Sequence, residues 1–387
     1  VVTVRPYADE DFEDVYHLRR LSFGGPKEPP STPDAPPGSA SALVAQDDTG
    51  ITGHLRVWNY HQFFGGRAVP MGGVASVAVQ PHARGTGVAG RLLAESLVLM
   101  REQGQSISTL YPYVIPPYRR YGWEHVGTMQ VALLTLSDLA ATPRASVPVR
   151  PATRADLGDI HACYLRTAST VDGTLDRSAP GFDISRKLEL DVLTVAPGED
   201  GLRGFLSAAR PDGKRLRVHD LIADDVDTAH ALLRQLASWA GTITDASIRL
   251  LDPTLLDLTV PGGIQRGFEV HDFMTRVVDL PVAVAARGWP ALAEAKPFTV
   301  DIEVTDPHAP WQAGRWRLVH EEGAVAAEPG GGGAVQMEAR ALGPWFAGSA
   351  SSASLRRAGL LTGSHEAAAA LDRLTGAPHP VHLGESF

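Results

Sequence analysis

The stretch from Val77 to Met100 constrains this chain more than any other. Val77-Ala78-Val79 is a short β-branched run that stops at Gln80-Pro81, and Arg84-Gly85-Thr86-Gly87-Val88-Ala89 follows at once. Leu92, Leu93, Leu97 and Met100 then recur at helical spacing. The pattern predicts a strand, a glycine loop and an amphipathic helix in that order. The first amides of such a helix lack carbonyl partners and its dipole favours negative charge, so the loop is a candidate anion site. Arg-x-x-Gly-x-Ala is not the dinucleotide fingerprint, and no Lys-Ser/Thr follows as a nucleoside-triphosphate loop would need. On these residues alone, a plain glycine turn that caps a helix is the alternative.

At 387 residues the chain is too long for one ordinary core and predicts two or three domains. Hydrophobic residues make up 44%, and no apolar run approaches the ~18–20 residues of a membrane span. Val1 to Glu10 shows no basic region followed by an apolar core, so no signal peptide and no membrane partner are expected. Cys163 is the single cysteine, which excludes an intrachain disulfide and fits a reducing cytoplasm. A formal charge of −9 argues against a nucleic-acid surface. His379-x-x-His382 has a metal-binding spacing only on a helix, and Pro378 and Pro380 oppose one. No metal is expected. There is no Gly-x-Ser-x-Gly elbow.

The chain also echoes itself. Val2-Thr3-Val4-Arg5-Pro6 with Asp11 and Asp14 recurs as Val147-Pro148-Val149-Arg150-Pro151 with Asp156 and Asp159, six identities at a constant offset of 145 residues. A duplicated domain is one explanation, and chance similarity of a common strand–helix opening is the other. Ala140 to Ala145 would link the copies. In the second copy, the passage equivalent to the glycine loop carries Asp224, Asp225 and Asp227 before Leu232, Leu233 and Leu236. Carboxylates there suit a helix start but repel a bound anion.

A third region follows Leu280-Pro281. A short helix is predicted at Val282–Trp289 and a half-buried strand at Thr299–Asp306. Further strands are predicted at Trp316–Val319 and Ala334–Glu338, joined by a turn at Gly330–Gly333, and helices at Ala353–Leu361 and Ala367–Leu374. The expected fold is α+β. Tandem mixed-sheet domains at 1–145 and 146–285 precede an α+β domain at 286–387.

The Arg84–Ala89 loop resembles the pyrophosphate loop of GCN5-related N-acetyltransferases (GNATs). The third region resembles the sterol-carrier-protein fold. With the Pro-Tyr-Arg-Arg-Tyr-Gly-Trp segment at 117–123 and a final Phe387, the whole chain resembles the Eis (enhanced intracellular survival) acetyltransferase family. That resemblance implies acetyl-coenzyme A as co-substrate and no metal. It also implies a homo-hexamer, and an aminoglycoside acceptor acetylated at several amines or, in some members, protein lysine. A lipid- or CoA-binding carrier without catalysis is the alternative of a different class.

Under the resemblance, Val77, Ala78 and Val79 would offer backbone groups to pantetheine, while Arg84, Gly85, Thr86, Gly87, Val88 and Ala89 would hold the pyrophosphate. Tyr118 matches the family's general acid; a phenol titrating near ~10 suits a thiol leaving group. Tyr111, Tyr113 and Tyr121 compete for the role. Ile115-Pro116-Pro117 departs from the family pattern and would stiffen the approach to Tyr118. The carboxylate of Phe387 would be the base, although an α-carboxylate titrates near ~3.5 in water; a frayed tail is the other reading. Glu385 and Ser386 would line the acceptor pocket, as would Phe23 at the start of a mobile loop from Gly24 to Ser41. Trp58, Tyr60, Phe63 and Phe64 are expected to pack a sheet around a hairpin turn at Gly65-Gly66.

Overall fold

The echo in the sequence is a repeat in space. The computed structural model describes residues 2–30, 36–210, 213–252, 254–263 and 267–387; part of the predicted Gly24–Ser41 loop lies outside them. The first run holds β1 (Thr3–Pro6), α1 (Phe12–Phe23), β2 (Ala40–Asp47), β3 (Gly50–Phe64) and β4 (Arg67–Val79), then α2 (Val88–Glu102), β5 (Ile107–Leu110), α3 (Ile115–Arg120) and β6 (Glu124–Thr135). The second holds β7 (Arg150–Pro151), α4 (Leu157–Ala168), β8 (Val192–Gly198), β9 (Gly201–Ala209) and β10 (Arg215–Ala223), then α5 (Val226–Ala237), β11 (Asp245–Leu250), α6 (Thr254–Thr259) and β12 (Phe268–Val277).

The six repeated residues encode one corner. Arg5 forks onto both oxygens of Asp11 at 2.7 Å, and Arg150 onto Asp156 at 2.9 and 2.7 Å. Each aspartate also accepts the backbone N–H three residues before it, from Ala8 at 2.8 Å and Thr153 at 2.7 Å. A bidentate ion pair thus fixes the strand while its carboxylate takes up a donor at the helix start.

The two runs share a single sheet of order β1-β2-β3-β4-β5-β12-β6-β11-β10-β9-β8-β7. β12 of the second run pairs with β5 of the first, and β6 of the first pairs with β11 of the second. β6 and β12 lie antiparallel between them. Each half is therefore completed by the other half's last strand. A division at residue 145 cuts the chain without cutting the sheet.

The C-terminal run comprises α7 (Leu280–Ala286), β13 (Phe298–Thr305), β14 (Gly314–Glu321), β15 (Ala324–Pro329), β16 (Val335–Glu338), α8 (Ala339–Ala347), α9 (Ser352–Arg357), β17 (Leu361–Gly363) and α10 (His365–Thr375). Its strands form a second sheet, β15-β14-β13-β16-β17. Three details correct the sequence reading. β15 intervenes before the Gly330–Gly333 turn, α8 was not foreseen, and the helix expected to reach Leu361 stops at Arg357 so that 361–363 can pair with β16. Pro344 hid α8: proline opposes a helix interior, yet here every residue of the segment but Arg340 is buried, and the helix packs against β12 and β6.

Residues 1–145 expressed alone would leave β5 and β6 without β12 and expose their edges. We expect that fragment to aggregate or lack cooperative melting by circular dichroism. Co-expression with 146–387 should restore a cooperative transition.

Candidate active site

β4 opens away from its neighbour. It pairs with β5 only from Met71↔Ile107 to Gly73↔Thr109, then runs on to Val79 with that side unpaired by β5. On its other side, the register with β3 slips between Arg56↔Ala75 and His54↔Ala78, so two β4 residues face one on β3. This is a bulge, and Ser76 within it adopts φ 52°. A non-glycine residue in that region is uncommon and needs its surroundings to hold it. His54 does so: its Nδ1 lies 3.0 Å from the Ser76 carbonyl and donates to it. Burial drives the His54 pKa down to about 4, outweighing the opposing bond to Ser76, so the ring is neutral. Neither residue was singled out from sequence.

The loop that follows is open. Gly85 and Gly87 have φ of +79° and +92°, and nothing lies within 4 Å of where a side chain would begin. Gly87 caps α2 without a side-chain bond, and the first helical bond across the cap runs from Arg91 N–H to the Gly87 carbonyl. The amides of Val88, Ala89 and Gly90 thus precede the first helix carbonyl available to them. Arg84 Nε donates to the Val79 carbonyl at 3.3 Å, and Thr86 Oγ1 to the Ala83 carbonyl at 2.7 Å. The strand, the arginine and the amide-rich turn follow one another without a break in the chain.

The corresponding place in the second half is filled. Asp225 accepts the Thr228 amide and is held by Arg203, while Arg166 binds Asp224 and Ser146 binds Asp227. The carboxylates that satisfy this helix start would oppose an anion there.

Among the described residues, neither the Tyr118 nor the Tyr121 hydroxyl has a hydrogen-bond partner, and both rings pack on the apolar cluster that Val77 and Val79 border. Pro116 and Pro117 occupy the first turn of α3, where a missing N–H costs little. They start the helix that carries Tyr118, which packs on the same apolar cluster as Val77 and Val79. Burial raises the Tyr118 pKa, so the phenol stays protonated. Tyr111 donates to the Glu385 carbonyl. Tyr121 leans on Gly90 and stacks on His308 at 4.2 Å. Tyr113 is 89% exposed, with Phe23 beside it at 6.0 Å. α3 is fixed from below by Glu124, which accepts from Arg119 and, across to α8, from Arg340 at 2.6–2.9 Å. Burial alone would raise Glu124, but these bonds hold it below its usual value.

The chain end is ordered by hydrogen bonds. β11 pairs with β6 only as far as Leu250↔Gln130. The edge of β6 beyond that point takes the tail: Thr128 N–H donates to Val381, Leu383 N–H to Thr128, and His382 N–H to Asp172. Gly127 and Gly173 leave room, since a side chain on either would meet the Val381 or His382 carbonyl. Val381 and Leu383 are buried. The Phe387 ring then rests over Gly73 of β4, between Tyr60 at 5.4 Å and Tyr111 at 5.8 Å. Ser386 is exposed. His379 binds Asp172 at 2.9 Å.

Glu385 is buried, and its Oε1 accepts from Arg177 at 2.5 Å. Arg177 also binds Asp220 at 2.7 Å, and Lys187 and Ser207 complete the shell of Asp220. Burial opposes ionisation of Asp220, but the Arg177 and Lys187 charges hold it far below the carboxylate range. Asp220 sits at the β10 bulge, the counterpart of the Ser76 bulge in β4. So the second half's cleft has become a clamp for the tail. Arg177 carried no sequence signal, because its partners lie 43 and 208 residues away.

Two outcomes follow for stability. Acid should weaken the fold as pH falls from about 6.5, the unfolded histidine value, toward about 4, because His54 must charge while buried. Near pH 5 this loss is about 2 kcal/mol, and His54→Asn, which can keep a donor to Ser76, should lose less on acidification by urea titration. Arg177→Met should lower stability by about 3 kcal/mol, since it strands buried carboxylates, with part recovered on adding Asp220→Asn.

Residues 3–126 match the family model described as an acetyltransferase (GNAT) domain, and 280–384 match a sterol carrier protein domain. The chain is similar to an N-acetyltransferase of Streptomyces avermitilis, 30% identical over 76% of each chain. Among solved structures it resembles a GCN5-related N-acetyltransferase from Kribbella flavida, with TM-score 0.86 and 27% identity over 100% of this chain and 98% of that one. Eis1 from Mycobacterium abscessus shares the fold, with TM-score 0.74 and 19% identity over 100% of both chains. An open β4, an uncapped glycine loop and a protonated tyrosine fit what acetyl-CoA requires, and the chain belongs to the GNAT acetyltransferases, as an acetyl-CoA-dependent N-acetyltransferase.

Proposed function

We propose that acetyl-CoA lies along β4 of the first half and gives its acetyl group to an amine held beside Phe387. The pyrophosphate sits on Arg84 and the Gly85–Ala89 turn, and backbone groups of Val77 to Val79 line the pantetheine arm. The amine nitrogen attacks the thioester carbonyl and the C–S bond breaks. Tyr118 gives its proton to the departing thiolate, and the Phe387 carboxylate takes the proton lost by nitrogen. The observation that carries this reading is the tail: it is hydrogen-bonded along β6 and ends over Gly73, where β4 leaves β5.

The second half serves as scaffold and tail clamp without CoA of its own. The acceptor is a small-molecule amine; aminoglycosides, acetylated at more than one position, lead the panel that the Eis-like architecture suggests, followed by protein lysine. Phe23, Glu385 and Ser386 are proposed to lie along the acceptor's path. The enzyme is proposed to work in the cytoplasm as a homo-oligomer, a hexamer by the resemblance. A carrier without chemistry is the poorer reading, since it gives no reason for a tail segment clamped beside the β4 opening.

Tyr118→Phe should lower kcat about a hundredfold or more while acetyl-CoA affinity holds. Fusing a short tag after Phe387 should do the same. Acetylation of an amine panel, followed by mass spectrometry, checks both; full turnover in either variant contradicts its assigned role.

A further inference from the structure

A cavity of about 280 Å³ adjoins the tail, lined among others by Phe182, Lys187, His219, Arg249 and Glu385. It is next to the reacting end of the site: the Phe182 ring lies 4.8 Å from Tyr60, which in turn touches Phe387. A larger cleft, about 410 Å³, lies at the Gly65 end of β4, remote from Val77–Val79. The charges of the smaller cavity are unequal in their commitments. Asp220 is bound by Arg177 and Lys187, and one oxygen of Glu385 by Arg177. Glu385 Oε2 is buried with no hydrogen-bond partner among the described residues. Arg249, half-buried on β11, has no ion-pair or hydrogen-bond partner among them either. Arg186 stands exposed in the same lining.

A buried acceptor atom without a donor costs free energy, and a guanidinium without a carboxylate leaves a two-pronged anion site empty. The pair asks for opposite partners. We propose that this cavity is the acceptor subsite for a zwitterionic amine, with Arg249 holding its acidic group and Glu385 Oε2 accepting from its ammonium. The proposal rests on the acetyl-transfer reading above and replaces its polycationic lead acceptor with a zwitterion. A polycation would set further ammonium groups against Arg186 and Arg249, while Asp220 is already engaged by Arg177 and Lys187 and Asp183, the other carboxylate of the lining, accepts from Ser185. A linear amine with a terminal carboxylate meets both demands and fits the volume.

Three amines of equal chain length test this: δ-aminovalerate, pentylamine and cadaverine, whose far ends are anionic, neutral and cationic. In the unmodified enzyme with acetyl-CoA, kcat/KM for δ-aminovalerate should exceed both others by about tenfold or more, the gap lying in KM. Arg249→Met should bring the three within about twofold, with the KM for acetyl-CoA unchanged. Equal use of all three, or preference for cadaverine, overturns the proposal. Calorimetric binding without turnover separates it from the transferase reading. If δ-aminovalerate binds to the unmodified enzyme and not to Arg249→Met, the subsite stands even if no amine is acetylated, and the transferase reading then fails. If δ-aminovalerate does not bind, the subsite is wrong whatever the turnover of other amines.

Discussion

The exchange of β6 and β12 between the two halves is the constraint on which the rest depends. Each strand is covalently part of one half and hydrogen-bonded into the other. Neither half can close its sheet alone, so the duplicated runs must fold as a unit. The exchange also sets where the tail can go. Because β11 leaves β6 at Gln130, the next stretch of β6 offers backbone donors and acceptors to Val381–Leu383. Unpaired backbone groups in that interior would be costly, and the tail satisfies them.

From there the two halves divide the work. The first keeps an open β4, with a bulge held by the neutral His54 ring, and an uncapped helix start. The second keeps the same strand, bulge and helix, but fills them with its own charges: Asp225 caps α5, and Asp220 recruits Arg177. That same arginine reaches Glu385 and fixes the chain two residues before Phe387. The buried charges of the second half thus support the tail that ends against the first. The C-terminal region adds Arg340, whose bond to Glu124 steadies the helix that carries Tyr118.

Local chemistry made much of this legible in sequence. The glycine loop, the amphipathic α2 and α5, the repeated Arg–Asp corner and the aspartates at the second helix start all act within a dozen residues. What stayed hidden acts over long range or against propensity. Strand exchange leaves no periodic signature, Arg177 meets partners far along the chain, and α8 forms despite Pro344 because its surroundings are apolar. Ser76 gave no warning of its positive φ, since the bulge is imposed by the β3 register and by His54. Glu385 was expected to line the acceptor pocket; it is half committed to Arg177, and only one oxygen remains for a ligand.

The central claim is that one cofactor binds, in the first half, with its thioester between Tyr118 and the chain end. A crystal structure with acetyl-CoA tests it most directly. The account predicts pyrophosphate on the Gly85–Ala89 amides, pantetheine along Val77–Val79, and the thioester sulfur within hydrogen-bond reach of the Tyr118 hydroxyl. Cofactor bound against α5, or a sulfur remote from both Tyr118 and Phe387, would contradict it.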